Sequence, residues 1–124
     1  MRVILIEPAT KTIAERDQET DLKSLQSAVG GPIEYACDFR NGDSLIVNEN
    51  GFFEMNAALR GMMPAEKAFL FSLDGIRYAG TGIIVGVEDS SGNHNPAKST
   101  LEDIQNRVMF FEPAALACDE SVAH

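Results

Sequence analysis

Ile33-Glu34-Tyr35-Ala36-Cys37-Asp38-Phe39, then Asn41-Gly42, then Ser44-Leu45-Ile46-Val47-Asn48 is the stretch that decides the fold. In its first part, apolar side chains at 33, 35, 37 and 39 alternate with Glu34 and Asp38. That period of two belongs to a strand with one face on a core and the other in water. Asn-Gly follows at once, and both residues accept positive φ cheaply, so a tight antiparallel hairpin is expected.

Working towards the N-terminus, Asp21 to Val29 carries Leu22, Leu25 and Val29 at helical spacing, with Thr20 and Asp21 as capping residues and Gly30-Gly31-Pro32 as the stop. Val3 to Ile6 is an unbroken aliphatic run closed by Pro8, which predicts a strand buried on both faces and central in the sheet. Thr12 to Arg16 has one large apolar residue, Ile13, and reads as an edge strand.

Towards the C-terminus, a turn at Glu49-Asn50-Gly51 precedes a short helix or turn over 52–60, ended by Gly61. Pro64-Ala65-Glu66-Lys67 resembles a helix start, while Phe69 to Leu73 followed by Asp74-Gly75 resembles a strand entering a second hairpin. Ile76 to Tyr78 and Ile83 to Val87 read as strand, interrupted by a bulge or bend at Ala79 to Gly82. Asp89 to Pro96 is a polar surface loop. Ser99 and Glu102 form a capping box, and Leu101, Ile104, Val108 and Phe111 predict a helix running to Pro113. The expected architecture is α+β: a mixed or mostly antiparallel sheet with the two main helices, near 21–29 and 100–111, packed on one face. One domain over 1–112 and a weakly ordered tail over 113–124 complete the reading.

Composition agrees with one globular domain, since 124 residues with 44% hydrophobic and 23% charged side chains can bury a core. No apolar run approaches the roughly 20 residues a membrane helix needs, and the short run before Pro8 is too brief for a secretory signal, so a cytoplasmic setting is expected. Two cysteines, Cys37 and Cys118, make no disulfide framework. Ten basic against nineteen acidic residues leave a formal charge of −9, which opposes direct attraction to nucleic acid or anionic lipid. Residues 1–50 hold nine of the acids and 51–124 hold ten, so the excess is spread as on a solubilising surface rather than gathered into a block.

Motifs for chemistry are absent where they would be needed. Gly80, Gly82 and Gly86 miss the dinucleotide spacing by one position, and a strand follows them instead of a helix. Asp89 to Asn95 lacks the glycine and carboxylate positions of a calcium loop, and two cysteines with two histidines give no zinc spacing. No activated nucleophile is recognisable, Cys37 reads as an inert thiol on an apolar strand face, and neither a catalytic residue, a metal ligand nor a cofactor is nominated. One polar cluster stands out: Asn48 and Glu49 at the hairpin end, with Asn56 and Arg60 in the following segment. These four are the candidate ligand- or partner-binding residues, although asparagines at strand ends also serve as turn formers.

The order of features from the Val3-Ile4-Leu5-Ile6-Glu7-Pro8 strand through Asp21 to Gly31, Asn48-Glu49-Asn50-Gly51, Ile83-Ile84-Val85-Gly86 and Leu101-Glu102-Asp103-Ile104 resembles the domain of unknown function 3846 family, small proteins of phages, plasmids and bacteria. After Gly51 the chain departs from the family's Leu-Pro-x-Asn run, with Glu54-Met55-Asn56 lacking the proline, and Met62 to Leu73 is longer than usual. The resemblance implies a mobile-element setting and an α+β fold, and it supplies no catalytic residues. The resulting expectation is a non-enzymatic accessory protein that binds a host or defence protein or sequesters a small molecule. Its alternatives are a small hydrolase-like enzyme using acids such as Glu49, and a self-associating regulatory module.

Overall fold

The computed structural model of the chain describes residues 1–113, so the expected tail lies almost wholly outside the described residues. Two antiparallel sheets are stacked, with a helix on the free face of the larger one. The larger sheet joins β1 (Arg2–Glu7), β2 (Thr12–Asp17), β3 (Ile33–Asp38), β4 (Ser44–Asn48) and β7 (Gly82–Val85) in the order β2-β1-β7-β4-β3. The smaller joins β5 (Leu70–Leu73), β6 (Ile76–Ala79) and β8 (Val108–Phe111) in the order β6-β5-β8. The described residues also form three named helices, α1 (Leu22–Val29), α2 (Gly51–Leu59) and α3 (Leu101–Arg107), and a 3-10 turn at Ala65–Ala68.

The α+β class and the antiparallel sheet follow the sequence, and so does the full burial of Val3 to Ile6. The placement of the helices does not. Strand side chains alternate between faces, so Val3, Leu5, Ile46, Ile83 and Val85 meet Leu25 and Val29 of α1 on one side. Ile4, Ile6, Leu45, Val47 and Ile84 meet Phe71, Leu73 and Tyr78 of the smaller sheet and Ile104 of α3 on the other. The two main helices therefore lie on opposite faces. Both faces of the central strands are apolar, and each needs its own cover. Each large side chain sealed in this way contributes about 1.5–3 kcal/mol.

Several element ends differ from expectation for local reasons. The hairpin from β3 to β4 closes through a five-residue loop, with the Phe39 N–H donating to the Asp43 carbonyl at 2.8 Å and only Gly42 at positive φ (+94°). A bulge between Tyr35 and Cys37 breaks the alternation of β3, so Ile33 packs on the α1 side while Cys37 and Phe39 pack on the opposite side. Leu22, counted on the α1 stripe, is exposed. The second hairpin forms as read, with Asp74 (φ +53°) and Gly75 (φ +84°) in the mirror-image turn that two-residue loops require. The Ala79–Gly82 stretch is the crossover from the smaller sheet to the larger. Gly82 is needed there because a Cβ on it would lie 2.6 Å from the Phe71 ring.

The C-terminal helix is shorter than its pattern suggested. It ends at Arg107, and the apolar, aromatic Val108-Met109-Phe110-Phe111 turns extended and pairs with β5 in the register Leu70↔Phe111 to Leu73↔Val108. Its cap is Thr100, whose hydroxyl accepts the Asp103 N–H at 3.1 Å, one residue later than expected. Ser99 is diverted to Asp43, whose fully buried carboxylate accepts the Lys98 N–H at 3.0 Å, the Ser99 N–H at 2.7 Å and the Ser99 hydroxyl at 2.6 Å. This carboxylate staples the first hairpin loop to the entry of α3.

Candidate functional site

The end of β4 places Asn48, 5% exposed, beside a cavity of about 220 Å³ between the C-terminus of α1, the N-terminus of α2 and the 3-10 turn. Asn48 Oδ1 accepts the Asn50 N–H at 2.8 Å, which holds the turn into α2, and its Nδ2 donates to Glu54 Oε2 at 2.7 Å. The other carboxylate oxygen, Glu54 Oε1, lies 3.2 Å from Lys67 Nζ. Amide, carboxylate and ammonium thus form one row along the wall. Lys67 also rests on Gly30, the left-handed cap of α1, where the carbonyls at the helix end favour a cation.

The row exists because the surrounding backbone gives way. A Cβ on Gly31 would lie 2.9 Å from both polar atoms of the Asn48 side chain, and one on Gly51 would lie 2.6 Å from the Ala79 carbonyl oxygen. Glycine at both positions lets the chain close over a buried carboxamide. Glu7, Glu66, Gly80 and Thr81 complete the rim. Neither Glu7 nor Glu66 has an ion-pair partner among the described residues.

Of the four residues singled out in sequence, only Asn48 faces this cavity. Glu49 is exposed and borders an adjoining groove of about 310 Å³, with Glu34, Phe52, Ile76 and Tyr78, which shares Asn48, Gly51 and Ala79 with the cavity. Asn56 and Arg60 are exposed on the outer face of α2, away from both hollows. Sequence reasoning missed Glu54 and Lys67. The available signal was Glu54 as the single charge in an otherwise uncharged helix, a position where an unpaired carboxylate would be costly.

His94, in the polar loop, is a structural residue. It is buried, its Nδ1 donates to the Gly86 carbonyl at 2.7 Å, and Nε2 therefore accepts the Tyr35 hydroxyl at 3.0 Å. Partial burial, reinforced by the negative charge of Glu88, raises the Tyr35 hydroxyl above its usual pKa and keeps it a donor. The Thr20 hydroxyl bonds both the backbone N–H and the carbonyl of His94, tying the 86–95 loop to the entry of α1. Asp89 turns its carboxylate onto the hydroxyl and backbone N–H of Ser91 and the backbone N–H of Asn93, and those hydrogen bonds lower its pKa.

A family model described as domain of unknown function (DUF3846) matches residues 1–109. No curated protein and no solved structure matches the chain. None of the helices among the described residues is long and apolar enough to cross a membrane.

Proposed function

From the premise that the chain belongs to the family described as domain of unknown function (DUF3846), we propose that it is a non-enzymatic binding protein that sequesters a small polar molecule in the cavity beside Asn48. The observation that carries this reading is the Asn48–Glu54–Lys67 row, a set of costly polar groups kept together on a cavity wall. Lys67 forms an ion pair with Glu54 and has three N–H donors from which to serve a ligand acceptor. Glu7 and Glu66 offer acceptors to a ligand donor. A molecule with both kinds of group, and smaller than the occupants of the usual ~300–1,000 Å³ sites, fits this wall.

Thr81 is the one hydroxyl side chain on the wall, no histidine stands beside it as an activating base, and Lys67 is committed to Glu54, which favours holding over covalent attack. Such a protein suits the accessory role in a phage or plasmid that the family resemblance implies, and the acidic composition suits a soluble protein of the cytoplasm. Native mass spectrometry of protein purified from its host tests the reading. The wild-type chain should retain a small polar molecule that Glu54→Gln releases, because the variant keeps the shape of the wall and removes the charge that positions Lys67. Retention by the variant, or a wild-type protein that carries nothing, counts against it.

A further inference from the structure

The groove that adjoins the cavity holds groups that the fold itself does not use. Tyr78 packs on Phe71 in the core and is only 9% exposed, yet its hydroxyl has no hydrogen-bond partner among the described residues. No fully buried side-chain polar atom among those residues goes unpaired, so this hydroxyl is not sealed in and opens on the groove that Tyr78 lines. Burial first, then the negative fields of neighbours that include Glu34, hold it above its usual pKa and keep it a neutral O–H. A hydroxyl left unpaired at the end of a core side chain has its bond to give to a group that arrives from outside.

Charge sets what can arrive. Glu34 and Glu49 stand exposed on the groove, and neither carboxylate has an ion-pair partner among the described residues. The one cation on the groove, Arg77, lays its guanidinium 4.6 Å from the centre of the Phe111 ring. Ala36, Val47, Phe52 and Ile76 add apolar surface. The chain as a whole carries −9, so a second copy or a nucleic acid is repelled while a basic segment is attracted.

The backbone adds a third kind of contact. β6 pairs with β5 alone, and its other edge is open. The Gly80 N–H donates to the Phe69 carbonyl at 3.1 Å, and antiparallel bonding alternates along a strand, so Ile76 and Tyr78 bond towards β5 and Arg77 turns its N–H and C=O to the open edge. All of β6 lines the groove, and an open edge takes up an extended peptide by strand addition. We infer that the groove takes an extended segment of another protein that carries lysine or arginine together with apolar side chains. Its cations meet Glu34 and Glu49, its apolar groups cover Val47 and Ile76, its backbone pairs at Arg77, and one of its carbonyls accepts the Tyr78 hydroxyl.

Selection of random peptides displayed on phage against the wild-type chain tests the inference, with the affinity of each recovered peptide then read by fluorescence polarisation. Sequences mixing basic and apolar residues should be recovered. Glu34→Gln combined with Glu49→Gln should weaken their binding about tenfold, and Tyr78→Phe, which keeps the ring on Phe71, about fivefold. Glu19→Gln combined with Glu102→Gln neutralises two exposed carboxylates off the groove and should leave the affinity unchanged. Each variant should keep the wild-type thermal midpoint. Recovery of no peptide, or of peptides without basic residues, overturns the inference. Equal weakening by the two glutamate pairs also overturns it, since the peptide would be adsorbed on the acidic surface at large, and so does free arginine amide that binds as tightly as the peptide, which would make the groove a site for a small cation. Glu34, Glu49 and Tyr78 do not line the cavity, so this result and retention of a small molecule beside Asn48 can each fail alone.

Discussion

Replacing Asp43 by Asn exchanges one carboxylate oxygen for an NH₂ group and should cost a large part of the stability of the fold. In the native chain its buried carboxylate accepts three well-placed donors, the Lys98 N–H, the Ser99 N–H and the Ser99 hydroxyl. A carboxamide presents one oxygen and one NH₂, so one oxygen position becomes a donor aimed at donors. Stranding one buried donor costs about 1–3 kcal/mol, and the remaining bonds lose the added strength of an ionised acceptor, about 1 kcal/mol each. The sum is about 3–5 kcal/mol. At about 4 °C per kcal/mol for a chain of this size, the midpoint should fall by roughly 12–20 °C. Urea titration followed by circular dichroism, together with a thermal scan, reads both quantities. Ser99→Ala removes one donor along with the group that bonds Asn41, and should cost about 1 kcal/mol in the wild-type background. In the Asp43→Asn background it should cost less, because the two residues share one network. A midpoint shift under about 4 °C for Asp43→Asn, or strict additivity with Ser99→Ala, would refute the staple.

Two further outcomes follow from packing and charge. Gly82→Ala places a methyl 2.6 Å from the Phe71 ring and 3.1 Å from Leu45 Cδ1, and should destabilise by about 1–3 kcal/mol in the same urea titration. In contrast, Gly61→Ala, which meets no neighbour but sits at φ +75°, should cost only its backbone strain, about 1 kcal/mol. Arg107 holds Asp74 through two hydrogen bonds, at 3.0 and 2.7 Å, and lowers the pKa of that carboxyl from 3.8. A carboxylate whose folded pKa is depressed stabilises the protein above its unfolded value and loses that contribution as pH falls through the folded one. The stability gap between wild type and Arg107→Gln should therefore be present at neutral pH and narrow below about pH 4. A gap that stays constant to the acid limit would show that Arg107 acts only by packing on the Phe39 ring, 4.6 Å away.

The strands were legible where side-chain pattern and burial coincide. Val3 to Ile6, Ser44 to Asn48 and the Asp74-Gly75 hairpin are stated locally, and the structure keeps them. What sequence did not state was which face a helix covers, because an amphipathic stripe on α1 or α3 fits either side of a sheet apolar on both. The boundary at Arg107 was hidden for a similar reason. Val108 and Phe111 satisfy a helical step as well as a strand, and pairing with β5, distant in sequence, decides between them. The candidate site was half legible. Asn48 was visible as a polar residue closing a hydrophobic strand, but Glu54 and Lys67 join it only through the turn at Asn50 and the 3-10 segment. Asn56 and Arg60 were grouped with Asn48 by nearness in sequence, and the helix turns them away from it.

The strand order of the larger sheet also determines when that sheet can be completed. β7 lies between β1 and β4, so the hairpins β1-β2 and β3-β4 are made first and have no direct pairing with each other. Synthesis proceeds at about 5–20 residues per second, so for some seconds the nascent polypeptide presents two apolar ribbons with a vacant slot between them. Ile83 and Ile84 enter that slot last and bond to both sides at once. Completion of the sheet therefore depends on a non-local insertion step. A ribosome stalled before residue 82 would display the hairpins as separate units that a chaperone must shield.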